Sequence, residues 1–180
     1  MTSLVNYRSL SSGPGGPVLE FVNDPETVRD PSVLRDLLQR FGRAPLHDPT
    51  PEELEKLARL RDAAAHLLEI VAAGRTPTPG ELAELNAHLA AAPVHVQLAV
   101  GDGGFVLETT PDSAGWDTIV RELAGWLAAL LVRHDPWRVK RCANPECGLF
   151  FYDESRNRTR RWHEDACGNL VRVRRFRAAR

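Results

Sequence analysis

Apolar positions along the first 136 residues mostly recur at helical spacing. Asp30-Pro31 offers an N-cap followed by a proline, and Val33, Leu34, Leu37, Leu38 and Phe41 then share one face, with Gly42 as a stop. Thr50-Pro51-Glu52-Glu53 is a capping-box signature, and Leu54, Leu57, Leu60, Ala64, Leu67 and Val71 follow at the same period up to Gly74. The device repeats at Thr78-Pro79-Gly80-Glu81, ahead of Leu82, Leu85 and Leu89. From about Ser113 to Arg133, Trp116, Ile119, Val120, Leu123, Leu127, Leu130 and Leu131 make a wide stripe that reads as core, ended by His134-Asp135-Pro136. Residues 1–17 read as loop, and Val18–Val22 is a short apolar run compatible with a strand or a helical turn.

One segment changes period. Val94, Val96, Leu98 and Val100 alternate with His95, Gln97 and Ala99, Gly101-Asp102-Gly103-Gly104 turns, and Phe105–Thr110 returns, which predicts a β-hairpin. Its glycines lack the strand–loop–helix setting and the lysine of a phosphate-binding loop. The expected fold class is α+β, mainly α: a helical domain with one hairpin over residues 1–136, and a small C-terminal module over 137–180 built from a knuckle, a short hairpin and a helix.

The chemistry is concentrated in that module. The three cysteines all fall after residue 141, as Cys142, Cys147 and Cys167. Clustered cysteines without an oxidising context read as metal ligands before disulfides. Cys142 and Cys147 bracket a proline-containing turn, and His163 and Cys167 follow four apart, a spacing that places them on one helical face. Zinc favours four nitrogen or sulfur ligands supplied as two local pairs, so Cys142, Cys147, His163 and Cys167 are the expected ligands of one structural Zn²⁺. Glu164, Asp165 or His134 could stand in for His163. Four protein ligands close the coordination sphere, which argues against a catalytic metal and against an enzyme.

Core formers in the module are few (Val139, Leu149–Tyr152, Trp162, Leu170, Val173 and Phe176), so an ion has to staple it. After Cys167, Leu170, Val173 and Phe176 share a face expected to lie on the module, with Arg172, Arg174 and Arg175 turned outward. Arg156, Arg158, Arg160 and Arg161 occupy the preceding loop.

Charge sharpens this picture. The chain of 180 residues is nearly neutral at −1, yet residues 1–137 carry 11 basic and 19 acidic groups while 138–180 carry 12 and 5. A split of −8 against +7 points to an anionic partner for the C-terminal end, or to a basic tail docked on its own acidic body. Guanidinium groups bind phosphates bidentately, so the expected partner is nucleic acid, DNA before RNA, contacted by Arg156, Arg158, Arg160, Arg161, Arg172, Arg174 and Arg175. A zinc-shaped surface for an acidic protein, or an RNA-binding module, is the alternative. No apolar run is long enough to span a bilayer and the N-terminus does not read as a signal peptide, so the expected location is the cytoplasm, with no membrane partner.

At these residues the sequence resembles the CGNR zinc-finger family. Cys142, Cys147-Gly148, Phe151-Tyr152-Asp153-Glu154-Ser155, Arg161-Trp162 and Cys167-Gly168-Asn169 follow that family's order and spacing over residues 138–177. Leu19-Glu20-Phe21-Val22-Asn23 fits the opening of the helical ABATE domain that precedes such fingers. The resemblance implies a stress-induced transcription regulator, chiefly a bacterial type, whose finger binds DNA and whose N-terminal domain senses a small-molecule effector or forms a homodimer. Two positions depart from the family pattern: His163 replaces a cysteine, and Leu170 replaces the arginine of the family name.

Overall fold

A computed structural model describes residues 13–178 apart from 46, 102, 113 and 114, and gives no side-chain detail at 109 and 111. Of the loop expected over residues 1–17, residues 1–12 lie outside the described residues, as do Asp102 of the hairpin turn and the Ser113 start of the last N-terminal helix. Gly16 and Pro17 are helical, because the proline suits a helix's first turn.

The apolar run Val18–Val22 is helical. Helix α1 spans Gly16–Asn23 with Pro17 in its first turn. Val18, Leu19, Phe21 and Val22 are buried while Glu20 turns out to meet Arg40 at 2.8 Å, and this one-sided spacing suits a helix and not a strand. A 3-10 turn, Pro25–Val28, leads to α2, Pro31–Arg40, whose N-terminus is capped by the Asp30 carboxylate accepting from Ser32 N–H at 2.8 Å.

Helices α3, Pro51–Ala72, and α4, Pro79–Leu89, each begin with the capping box that the sequence predicts. Thr50 Oγ1 accepts from Glu53 N–H at 3.3 Å and Glu53 reaches back to Thr50 N–H at 2.7 Å. Thr78 and Glu81 repeat the arrangement at 3.3 and 2.7 Å. Helix α5, Trp116–Arg133, buries Trp116, Ile119, Val120, Leu123, Leu127 and Leu130, so its stripe is core. Phe41 meets Trp126 edge-on at 5.8 Å between centroids.

Strands β1, Val94–Gly101, and β2, Gly104–Pro111, form the expected antiparallel hairpin. A second two-stranded sheet pairs β3, Val139–Arg141, with β4, Phe150–Tyr152, and α6, Asp165–Ala178, follows. The fold is mainly helical with two small sheets, as expected.

Packing does not stop at residue 136. Val139 and Phe150 belong to the same hydrophobic cluster as α1, α2, α3 and α5. Asn23, the last residue of α1, pairs its side-chain amide with the edge of β4: Nδ2 donates to Phe150 C=O and Oδ1 accepts from Phe150 N–H, both at 2.8 Å. The basic end also meets the acidic body in places, through Arg158–Asp135 at 2.6 Å and an Arg141–Glu69 pair. Asn23→Ala leaves two backbone groups of Phe150 without partners, and a loss of about 1–3 kcal/mol is expected in denaturant unfolding; an unchanged midpoint would show water replacing the amide at no cost.

Candidate metal centre and its arginine-bearing helix

Cys142 directly follows β3 and Cys147 lies five residues on, across a tight turn. Cys147 N–H donates to Asn144 C=O at 2.9 Å, which closes the turn, and Cys142 N–H donates to Leu149 C=O at 2.8 Å, which closes the hairpin above it. Gly148 sits at φ 69°, a left-handed conformation costly for any residue with a Cβ, so the Cys-Gly pair is a backbone requirement of the knuckle exit.

The second pair differs from its expected form. His163 is not on the helix: it lies in the bend before α6 begins at Asp165, and only Cys167 is helical. A bend lets the imidazole turn inward, and Nδ1 lies 3.3 Å from Cys147 Sγ and 3.6 Å from Cys167 Sγ. The four ligand atoms all lie within 4.8 Å of one another, and Cys142 and Cys167 are buried. A tetrahedral zinc with the usual bond lengths separates its ligand atoms by roughly 3.4–3.8 Å, so the cluster fits one zinc ion held by Cys142, Cys147, His163 and Cys167. The chemistry of the donors agrees. Burial pushes the Cys147 thiol up to about 11, with Cys142 and Cys167 adding to the rise, whereas His163 and the Asn144 backbone outweigh burial at Cys142 and bring it to about 7. A bound cation relieves this opposition to ionising Cys142 and Cys147 together.

Outer contacts fix the ligands. Nδ1 of His163 faces the sulfurs and Nε2 lies 3.3 Å from Glu164 Oε1, a carboxylate placed to hold the ring orientation. Asn144, buried, donates from Nδ2 to Cys167 Sγ at 3.5 Å and accepts on Oδ1 from Glu146 N–H at 3.3 Å and Arg174 Nη1 at 3.4 Å. Asn144 carries no sequence signal beyond its place inside the Cys–x₄–Cys turn. Gly168 allows close approach, because a Cβ there would lie 3.1 Å from the Trp162 ring. The Trp162 indole thus lies against the first turn of α6, beneath the guanidiniums of Arg161 and Arg172 at 5.4 and 5.7 Å from its centroid.

A second knot holds the loop between β4 and α6. The fully buried Asp153 carboxylate accepts from Lys140 Nζ at 2.6 Å, Ser155 N–H at 2.9 Å and Arg160 N–H at 3.0 Å. Lys140 also donates to the carbonyls of Arg158 at 2.5 Å and Arg160 at 3.1 Å. Burial alone would raise the Asp153 pKa, but Lys140 and Ser155 outweigh it and lower it to about 2. The Phe-x-Asp-x-Ser stretch therefore has a physical role: it ties the loop to β3.

The seven arginines expected at a nucleic-acid surface fall into two groups. Arg158 pairs with Asp135, Arg160 donates to Trp162 C=O at 2.9 Å and to His163 C=O, Arg172 donates to Asn169 at 3.0 Å, and Arg174 pairs with Glu146. Arg161 lies on Trp162, while Arg156 and Arg175 are exposed with no ion pair or hydrogen bond among the described residues.

One expectation is corrected. Leu170, Val173 and Phe176 are not buried against the module: they are 49%, 47% and 61% exposed. Helix α6 buries only Cys167 and Gly168 in its first turn, and its later turns run past the contact with Trp162.

Residues 138–180 match the CGNR zinc finger, and residues 15–140 match the ABATE family, described as "Putative stress-induced transcription regulator". No curated protein matches the chain. Among the described residues no helix is long and apolar enough to cross a membrane. With its ABATE match covering well over half of its length and a Cys3His cluster seated where the finger is matched, this chain belongs to the ABATE family and carries a CGNR zinc finger.

Proposed function

We propose that the protein is a zinc-dependent, DNA-binding transcription regulator acting in the cytoplasm, in which α6 and the loop before it contact nucleic acid. The observation that carries this reading is the way α6 is mounted. Zinc ligands and Trp162 hold its first turn, and Arg172, Arg174, Arg175 and Arg177 then stand exposed along the remainder. A rigid, positively charged helix anchored at one end suits a phosphate backbone. We read residues 1–136 and 137–180 as two functional units, the first sensing an effector or pairing two copies. An open cleft of about 370 Å³, lined by Glu20, Asn23, Thr27, Leu37, Arg40 and Leu149, reaches both units and is the place proposed for a small effector. A closed four-ligand site offers no position to a substrate, which supports a non-enzymatic role.

The test is DNA binding as a function of salt, with the zinc-loaded chain. Arg156→Ala combined with Arg175→Ala removes two unpaired guanidiniums, and the slope of log affinity against log salt is expected to fall by about 2. A slope unchanged by both substitutions removes these residues from the interface. Exposed Leu170, Val173 and Phe176 favour a second reading, in which α6 docks on a protein or an irregular RNA. Affinity that ignores salt but drops with Val173→Asp would select it.

A further inference from the structure

The β1–β2 hairpin has one side that is apolar along its length and one that mixes polar residues with Ala99 and Val106. Its register sets Val96 opposite Thr109, Leu98 opposite Leu107 and Val100 opposite Phe105. Residues opposite one another point to the same side, so Val96, Leu98, Val100, Phe105 and Leu107 form one face. Gln97 and Glu108, joined at 3.2 Å, occupy the other, and His95 pairs with Asp112 at 2.9 Å. The apolar face is uncovered: these five residues are 60%, 66%, 81%, 81% and 55% exposed. From His95 to Thr110, no residue whose burial is described is buried. A lone two-stranded hairpin is marginal in water, and an apolar face of this kind is ordinarily packed against something.

We propose that this face is the contact between two copies of the chain, packed hairpin against hairpin about a two-fold axis. Three features favour a second copy. The face carries no charge, so superposing it on itself opposes no like charges, while Glu108 and the His95–Asp112 pair remain outside. The five side chains present on the order of 500–600 Å² of apolar surface, so their complete burial in two copies removes about 1,000–1,200 Å² from water, the lower edge of a specific interface. Two two-stranded sheets stacked face to face also make the smallest two-layer core, which neither hairpin possesses alone. The inference deepens the pairing role proposed for the N-terminal unit and does not depend on DNA binding, because self-association is read without nucleic acid.

The test is sedimentation equilibrium of the full-length, zinc-loaded chain, freed of nucleic acid. A dimer is expected at tens of micromolar. Leu98→Asp with Phe105→Asp is expected to raise its dissociation constant by about 100-fold or more, with helical circular dichroism and zinc content unchanged. Gln97→Lys, on the mixed side, is expected to leave the dimer intact. A wild-type monomer at these concentrations, a dimer surviving the double substitution, or a dimer disrupted as much by Gln97→Lys would each overturn the proposal.

Discussion

Cys142→Ser is expected to leave the purified chain without stoichiometric zinc and to unfold its C-terminal segment while the helical body persists. Four ligand atoms within 4.8 Å share one ion, and Cys142 is buried at the join of hairpin and knuckle. A serine hydroxyl is a poor zinc donor at neutral pH, and the remaining three ligands form an open site. Zinc binding in finger-sized modules is worth on the order of 10 kcal/mol or more, and little else is available here to offset its loss. Helix α6 buries only Cys167 and Gly168, in its first turn, and its further contacts with the module are exposed polar ones such as Arg174 with Glu146. Metal analysis should fall from one zinc per chain to none. Amide exchange should rise across 153–178 and stay slow in α3 and α5, whose core does not include those residues. The same pattern is expected on chelation, and on acidification as protons compete for three thiolates and an imidazole. One equivalent of zinc retained by Cys142→Ser would remove that sulfur from the ligand set.

Asp153→Ala is expected to destabilise the chain by about 3 kcal/mol in denaturant unfolding at neutral pH. The carboxylate is fully buried and takes three hydrogen bonds, one from the Lys140 ammonium. Removing it strands a cation whose side chain is only 25% exposed, together with two backbone N–H groups. The effect has a defined pH sense. Asp153 titrates near 2 against an ordinary value of 3.8, so its ionised form stabilises the fold. That contribution is complete above about pH 4 and disappears as pH falls through 2. The difference between wild type and variant should therefore narrow in acid. A gap below about 1 kcal/mol at pH 7 would mean that the loop stands without its carboxylate.

Much of this is legible in the sequence. The capped helices α2, α3 and α4 announce themselves because Asp30, Thr50 and Thr78 act within four residues of their partners. The zinc ligands are legible because metal chemistry restricts donor type and pair spacing so narrowly. What escaped depends on contacts distant in sequence or on direction in space. Val18–Val22 could not be assigned from its own residues, since a short buried run looks alike as strand or helix. His163 and Cys167 share helical spacing, yet the imidazole lies in the bend before α6. Periodicity showed that Leu170, Val173 and Phe176 share a face, but not whether anything covers it. The hairpin teaches the same lesson: alternation fixes which side chains point together, and burial is decided by a partner the pattern does not name.

The amide bridge from Asn23 to Phe150 spans 127 positions and bears on how the protein can be dissected. Severing the chain at the apparent boundary near residue 136 would strip Phe150 of both polar partners and leave Val139 and Phe150 with their apolar surfaces in water. An excised finger would then be a sticky fragment whose affinity for polyanions says little about the parent molecule, so biochemical comparisons call for the intact polypeptide.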